Sequence, residues 1–150
     1  MKKGLIFLFA LLTFAACKKD SETEVTPKDP ASAVAGTYQL SSFDYKVGEE
    51  SIVSYSKLPV TQKGVTVSAS ADVQKTGDGT VSLVLLLKAT GEQDRELDLG
   101  EYEIQAKGKT YGLYTGNGSQ VAEINAGQLI FEASGTSDGE PVEITFEAKK

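Results

Sequence analysis

Apolar residues recur at every second position through most of this chain, and that one pattern excludes most folds. Val65, Val67, Ala69, Ala71 and Val73 alternate with Thr66, Ser68, Ser70, Asp72 and Gln74. Successive side chains of a strand point to opposite faces, so this segment reads as a strand with one face in a core and one in water. Thr80 to Ala89 repeats the pattern, with Val81, Leu83, Leu85, Leu87 and Ala89 on one face. Val84 and Leu86 add apolar groups to its other face, as suits a central strand covered in part on both sides. Val142, Ile144, Phe146 and Ala148 alternate in the same way near the end of the chain. No stretch carries a convincing amphipathic helical period.

Glycine-containing breaks punctuate the strands: Gly77-Asp78-Gly79, Lys107-Gly108-Lys109, Gly116-Asn117-Gly118, Asn125-Ala126-Gly127 and Ser137-Asp138-Gly139. An Asp-Gly pair suits a tight hairpin, because both central residues of that turn take positive φ. The runs predict eight or nine strands, at about 36–45, 52–55, 65–74, 80–89, 97–106, 110–114, 119–124, 128–133 and 142–148. In the fifth, Leu97 and Leu99 share one parity, Tyr102 and Ile104 the other, and Gly100 lies between them. A bulge or sharp bend at Gly100 reconciles the two. Residues 46–50 and 58–64 read as irregular connections. Many short strands with glycine turns imply an antiparallel all-β barrel or sandwich. A meander exposes two edges unless it closes, which favours an up-and-down barrel of about eight strands. A β-sandwich is the competing architecture. The buried Trp and disulfide of immunoglobulin-like sandwiches are missing, since the chain has no Trp and one Cys.

The amino-terminal region has a different character. Lys2 and Lys3 precede an uncharged, Leu-, Phe- and Ala-rich run from Gly4 to Ala16. That order is the one found in secretory signal peptides. The run falls short of the ~20 apolar residues a bilayer-spanning helix needs, and Lys18-Lys19-Asp20 ends it, so a retained transmembrane helix is the weaker reading. Phe14-Ala15-Ala16-Cys17 resembles the lipobox of bacterial lipoproteins, with Phe14 where Leu is usual. The resemblance implies diacylglycerol in thioether linkage on Cys17, cleavage before it, and acylation of the new amino terminus. Cys17 is the only cysteine, so no internal disulfide can form. Residues 17–33 are polar, carry both charge signs and contain Pro27 and Pro30, which reads as a flexible stalk. The sequence thus divides into a signal peptide at 1–16, a lipidated stalk at 17–33 and a folded domain at 34–150.

The opening of that domain, Gly36-Thr37-Tyr38-Gln39-Leu40, resembles the first strand of small bacterial lipocalin-like lipoproteins, which begin Gly-x-Trp-x-Leu after a lipobox and polar stalk. Tyr38 stands where Trp is usual. The resemblance implies an up-and-down barrel whose interior admits one small ligand, and the reading taken from it is a cell-envelope protein that binds an apolar or amphipathic molecule. In lipoproteins a charged stretch after the cysteine, here Lys18-Lys19-Asp20-Ser21-Glu22, acts as a sorting signal toward the outer membrane or cell surface, so the expected address is the outer membrane, in its periplasmic or surface leaflet.

Composition narrows function mainly by exclusion. The net charge is −6, and more negative once Lys2 and Lys3 leave with the signal peptide, which argues against nucleic-acid binding and electrostatic docking on anionic lipid. The chain has no histidine, which removes the commonest general base and metal ligand. With Cys17 lipidated, no thiol remains, so no catalytic triad, metal site or cofactor is expected and the chain reads as a non-enzyme. Glu92, Asp94, Glu96 and Asp98 share one parity and read as a solvated acidic face. Tyr102, Tyr111 and Tyr114 could stack on a flat ligand, but Tyr111 and Tyr114 have opposite parity and cannot share one cavity. The alternative functional reading is a sandwich module binding protein or carbohydrate through its loops.

Overall fold

The computed structural model describes residues 29–150; the expected signal peptide, Cys17 and the expected stalk through residue 28 lie outside the described residues. A short helix, α1 (Pro30–Val34), leads into ten strands: β1 (Gly36–Val47), β2 (Glu50–Tyr55), β3 (Val60–Gln62), β4 (Val65–Lys75), β5 (Thr80–Ala89), β6 (Arg95–Lys107), β7 (Thr110–Tyr114), β8 (Gln120–Asn125), β9 (Gln128–Ser137) and β10 (Glu140–Lys149). All neighbours are antiparallel, in the order β2-β1-β10-β9-β8-β7-β6-β5-β4-β3.

One further pairing closes the sheet. Gly36–Gln39 of β1 lie opposite Val73–Ser70 of β4, making an eight-stranded ring of β1 and β4 to β10. The ring is staggered. Stepping across paired residues from Lys107 through Thr110, Asn125, Gln128, Lys149, Gln39, Ser70 and Leu86 returns to β6 at Glu96. That offset is the shear that a small barrel with tilted strands requires. The barrel therefore stands as expected.

Closure is complete only over one half of the barrel's length. Beyond Gln39, β1 turns its edge to β2, with Phe43–Val47 opposite Tyr55–Glu50. The matching stretch of β4, Val65–Val67, pairs with β3 instead. On the opposite side β7 and β8 are short, so β6 before Glu103 and β9 beyond Phe131 have partners on one edge only. The upper barrel thus splits into two leaves, β9-β10-β1-β2 and β3-β4-β5-β6. The sandwich alternative survives only in this local sense.

Local sequence explains the hairpins. Residues 63–64, 126–127 and 138–139 have positive φ at both positions, as type I′ turns demand. Gly77-Asp78-Gly79 differs from the expected tight turn: none of the three has positive φ, and the chain makes a wider loop held by Thr76 and Gly77 N–H donating to Thr80 O. The irregularity expected at Gly100 is present. Its φ is +98°, and the β5–β6 register slips between Leu83 and Val84, leaving Leu99 as the extra residue. Part of the connection expected to be irregular at 58–64 is β3, a strand too short to show a period.

The lower half is filled. Val73, Val81, Leu83, Leu113, Leu129 and Phe131 are 0–1% exposed. Phe131 stacks on Phe146, with centroids 4.9 Å apart, and meets Tyr102 edge-on at 6.1 Å. The floor is closed by α1, which packs against β4 and β6. Asp29 caps this helix by accepting from Ser32 N, Pro30 occupies its first turn, and Ala31 and Val34 are wholly buried. The folded domain therefore begins earlier than the boundary at residue 34: residues 29–33, expected in the flexible stalk, belong to the plug. Tyr38 Oη donates to Val34 O at 2.7 Å, and Lys150 Nζ to Ala35 O at 2.6 Å. The Gly-x-Tyr-x-Leu stretch thus has a structural task. Gly36 takes φ +136° beneath the Lys150 side chain, and Tyr38 locks the plug from inside.

Two outcomes test this account. Phe146→Ala should cost ~3–5 kcal/mol in urea unfolding, the range for truncating a packed aromatic; a loss below ~0.5 kcal/mol would place the ring outside the core. The hydrogen bond from Lys75, aided by Ser32, lowers the Asp29 pKa from 3.8 to about 2. A carboxylate with a depressed folded pKa stabilises above its unfolded value and loses that contribution as pH falls through the folded one. The melting temperature of Asp29→Asn should therefore lie below wild type near neutrality, and the gap should close as pH approaches about 2; a gap independent of pH would rule out the carboxylate as the cause.

Candidate functional site

The strand period carries apolar side chains past the filled core into the split half. Along the inward face of β4, exposure climbs from 1% at Val73 through 4% at Ala69 to a half-buried Val67 and 41% at Val65. On β5, Leu85 is wholly buried and Leu87 half-buried. Leu97 lies opposite Leu85 on β6 and so faces inward, yet is 39% exposed. On the other leaf, Val53 and Tyr55 stand opposite the inward residues Tyr45 and Phe43 and share their face. Where β1 and β4 part, the lumen lacks a fourth wall and these side chains meet water.

Some of them line a concavity of about 240 Å³. Val53, Tyr55, Val67, Leu87 and Ala89 form its apolar surface, and Lys88, Glu92, Gln93 and Arg95 form a polar rim on the β5–β6 side. Leu58 is buried in the same core, and its N–H donates to Ser41 O at 2.8 Å, so the segment between β2 and β3 is tied to β1. Lys88 pairs with Asp94 at 2.9 Å. The arrangement is a greasy slot with charge only at its lip, which suits an apolar or amphipathic molecule. It offers no acid–base pair aimed at a common point.

Other concavities are of a different kind. One of about 460 Å³ lies over β8, β9 and β10 on the outer face, among Gln120, Glu123, Glu132, Ser134 and Glu143 with the exposed Ile130. One of about 320 Å³ lies at the plugged end, between Ala33, Tyr38, Lys109, Tyr111, Ile124 and Lys150.

The residues singled out from sequence fall as follows. Cys17 lies outside the described residues. Glu92, Asp94, Glu96 and Asp98 are all exposed; Asp98 accepts from Gly100 N at 2.8 Å and so serves the bulge. Among the described residues, no three Cys, Asp or Glu are grouped to hold a metal ion. Tyr102 is buried, its pKa raised by desolvation and, less, by Asp98, and its hydroxyl donates to Leu99 O at 2.6 Å. Tyr114 turns to the other face from Leu113 and covers Gly112, where a Cβ would come within 2.6 Å of the ring. Asn117 Oδ1 accepts from Ser119 N at 3.1 Å and shapes the β7–β8 turn. Val53 and Tyr55 were missed as site residues: β2 has a period, but nothing local says that its outer edge is free.

No family model and no curated protein matches this chain. Among solved structures, a de novo designed fluorescence-activating β-barrel aligns over 81% of this chain and 98% of its own, at 12% identity and a TM-score of 0.36.

Leu85 and Leu87 share a face but differ in exposure, which gives a direct check on the site. Leu85→Ala should cost ~2–5 kcal/mol, as for a closed core, and Leu87→Ala less than about half as much. Equal losses by urea unfolding would mean that the mouth is packed shut.

Proposed function

We propose that this chain is a non-catalytic, lipid-anchored protein of the cell envelope whose lipocalin-like barrel holds one small apolar or amphipathic molecule in its open mouth. One observation carries the ligand-binding reading. Val53, Tyr55, Val67, Leu87 and Leu97 face the lumen at its split end and remain partly open to water, while the same faces are sealed below. Apolar surface left in water is unfavourable by about 25 cal/mol per Å², so a ligand covering it gains that free energy. Sites for drug-sized molecules run to ~300–1,000 Å³. A mouth of about 240 Å³ suits a single ring, a short chain, or the end of a longer chain whose remainder lies outside. The polar rim of Lys88, Glu92, Gln93 and Arg95 favours a head group at the lip.

The anchor rests on the sequence. A basic start, an apolar run and Ala15-Ala16-Cys17 support lipid on Cys17. One acyl chain binds a membrane marginally and two or more hold it, so a diacylglyceryl cysteine suffices for stable attachment. We place the protein at the outer membrane, in its periplasmic or surface leaflet.

Two measurements test the reading. Native mass spectrometry of the mature chain, purified gently from its host, should show an added mass that extracts into organic solvent. Leu87→Asp should remove that mass while keeping a β-type circular dichroism spectrum; a bare polypeptide mass for wild type would refute the ligand. Cys17→Ser should move the chain from the membrane to the soluble fraction, and unchanged partitioning would refute the anchor.

A further inference from the structure

Net charge suggests a chain that avoids anionic surfaces, but the barrel segregates its charges along its length. At the plugged end, Lys107 and Lys109 flank the β6–β7 turn, and Lys149 and Lys150 stand at the end of β10. All four are exposed, and none is in an ion pair among the described residues. They are spread around one rim. Lys107 and Lys149 stand at the two ends of a row that runs through Thr110, Asn125 and Gln128, half-way round the ring, and Lys109 and Lys150 border one concavity between them. Lys75 bonds both Asp29 and Asp78, which leaves one negative charge at this rim against the lysines. The opposite end is acidic on balance: Glu49, Glu50, Glu92, Asp138 and Glu140 are exposed in its turns or at the strand ends beside them, against Lys63 and Arg95, while Asp94 is paired with Lys88.

The chain enters the fold at the basic end. Asp29 is bonded to Lys75 there, and the residues back to Cys17 span at most ~40 Å even fully extended. We propose, resting on the lipid-anchor reading, that the plugged end is a membrane-facing foot, in which Lys107, Lys109 and Lys149 meet anionic phospholipid headgroups of the bilayer that holds the anchor. Lys150 flanks this patch but is engaged with Ala35 O. Attraction at one end and repulsion at the other orient the barrel with its mouth toward water. Screening limits this effect to about 8 Å at physiological salt, which a tethered domain satisfies whenever its foot touches the surface. The ligand then exchanges with the aqueous side rather than directly with the bilayer.

The test is lysine acetylation of the full lipidated chain in vesicles of phosphatidylethanolamine, with and without about one-third phosphatidylglycerol, read site by site by mass spectrometry. Lys107, Lys109 and Lys149 should react at least about threefold more slowly with phosphatidylglycerol present, high salt should restore the rate, and Lys57 and Lys63 should be indifferent. In Lys107→Gln/Lys109→Gln/Lys149→Gln, the contrast should disappear for Lys150 while folding, read by circular dichroism, is kept. Equal rates at all sites on vesicle-bound protein would overturn the foot and leave the anchor standing. Protection by soluble glycerol phosphate in vesicles lacking phosphatidylglycerol would overturn it in favour of a small-anion site. Failure of the chain to enter the vesicle fraction would overturn the anchor reading and the foot with it.

Discussion

The fold depends on a seam four residues long. Gly36–Gln39 of β1 against Ser70–Val73 of β4 is the only pairing that joins the two ends of the meander among the described residues. Without it, the sheet would have β1 and β4 as free edges along their lower halves, and the residues that fill the interior would lose their enclosure. The seam is short because β1 is shared. Its lower half serves β4 and its upper half serves β2, while the corresponding part of β4 serves β3. A backbone edge satisfies one partner at a time, so the hairpins that protect the upper edges also prevent the barrel from closing there. The mouth follows from how β1 divides its hydrogen bonds.

That division also accounts for how the interior is apportioned. A barrel of this strand number has an interior that side chains can fill, and here they do so wherever the ring is complete. Large buried residues on β6, β9 and β10 share this core with small ones such as Ala71, Ala122 and Ala148. Where the leaves separate, the same alternation continues without an opposing wall. The candidate site therefore needs no specialised residues. It is an ordinary core pattern carried past the closure of the barrel.

Much of this was legible in the sequence. The alternation at Val65–Val73 and Val81–Ala89 located the strands and their inward faces, and the parity break around Gly100 located the β6 bulge. Both are local signals. What escaped notice was either too short for a period or dependent on distant partners. β3 is three residues long, and its pairing is visible only through β4. The helical plug did carry a signal: Asp29-Pro30-Ala31-Ser32 offers a capping residue, a proline in the first turn and a side chain able to close the cap. It was masked by a polar segment on one side and a strand on the other. The loop at Gly77-Asp78-Gly79 had the composition of a tight turn but spans a wider gap. The mouth could not be read at all, since it arises where strands fail to pair.

The plug and the tether are best considered together. A lipid-anchored domain whose incoming chain were loosely attached could present any face to its membrane. Here the incoming chain is held at several points on the closed floor: by the Asp29 cap and its bond to Lys75, by the buried Ala31 and Val34, and by Tyr38 and Lys150 bonding the Val34 and Ala35 carbonyls. The contacts that seal the lumen from below thus also fix where a tether would emerge, at the end remote from the mouth. Sealing one end and opening the other makes the barrel polar in shape, and the lysines near the floor make it polar in charge as well. Lys150 belongs to the floor, which its ammonium completes by donating to the Ala35 carbonyl.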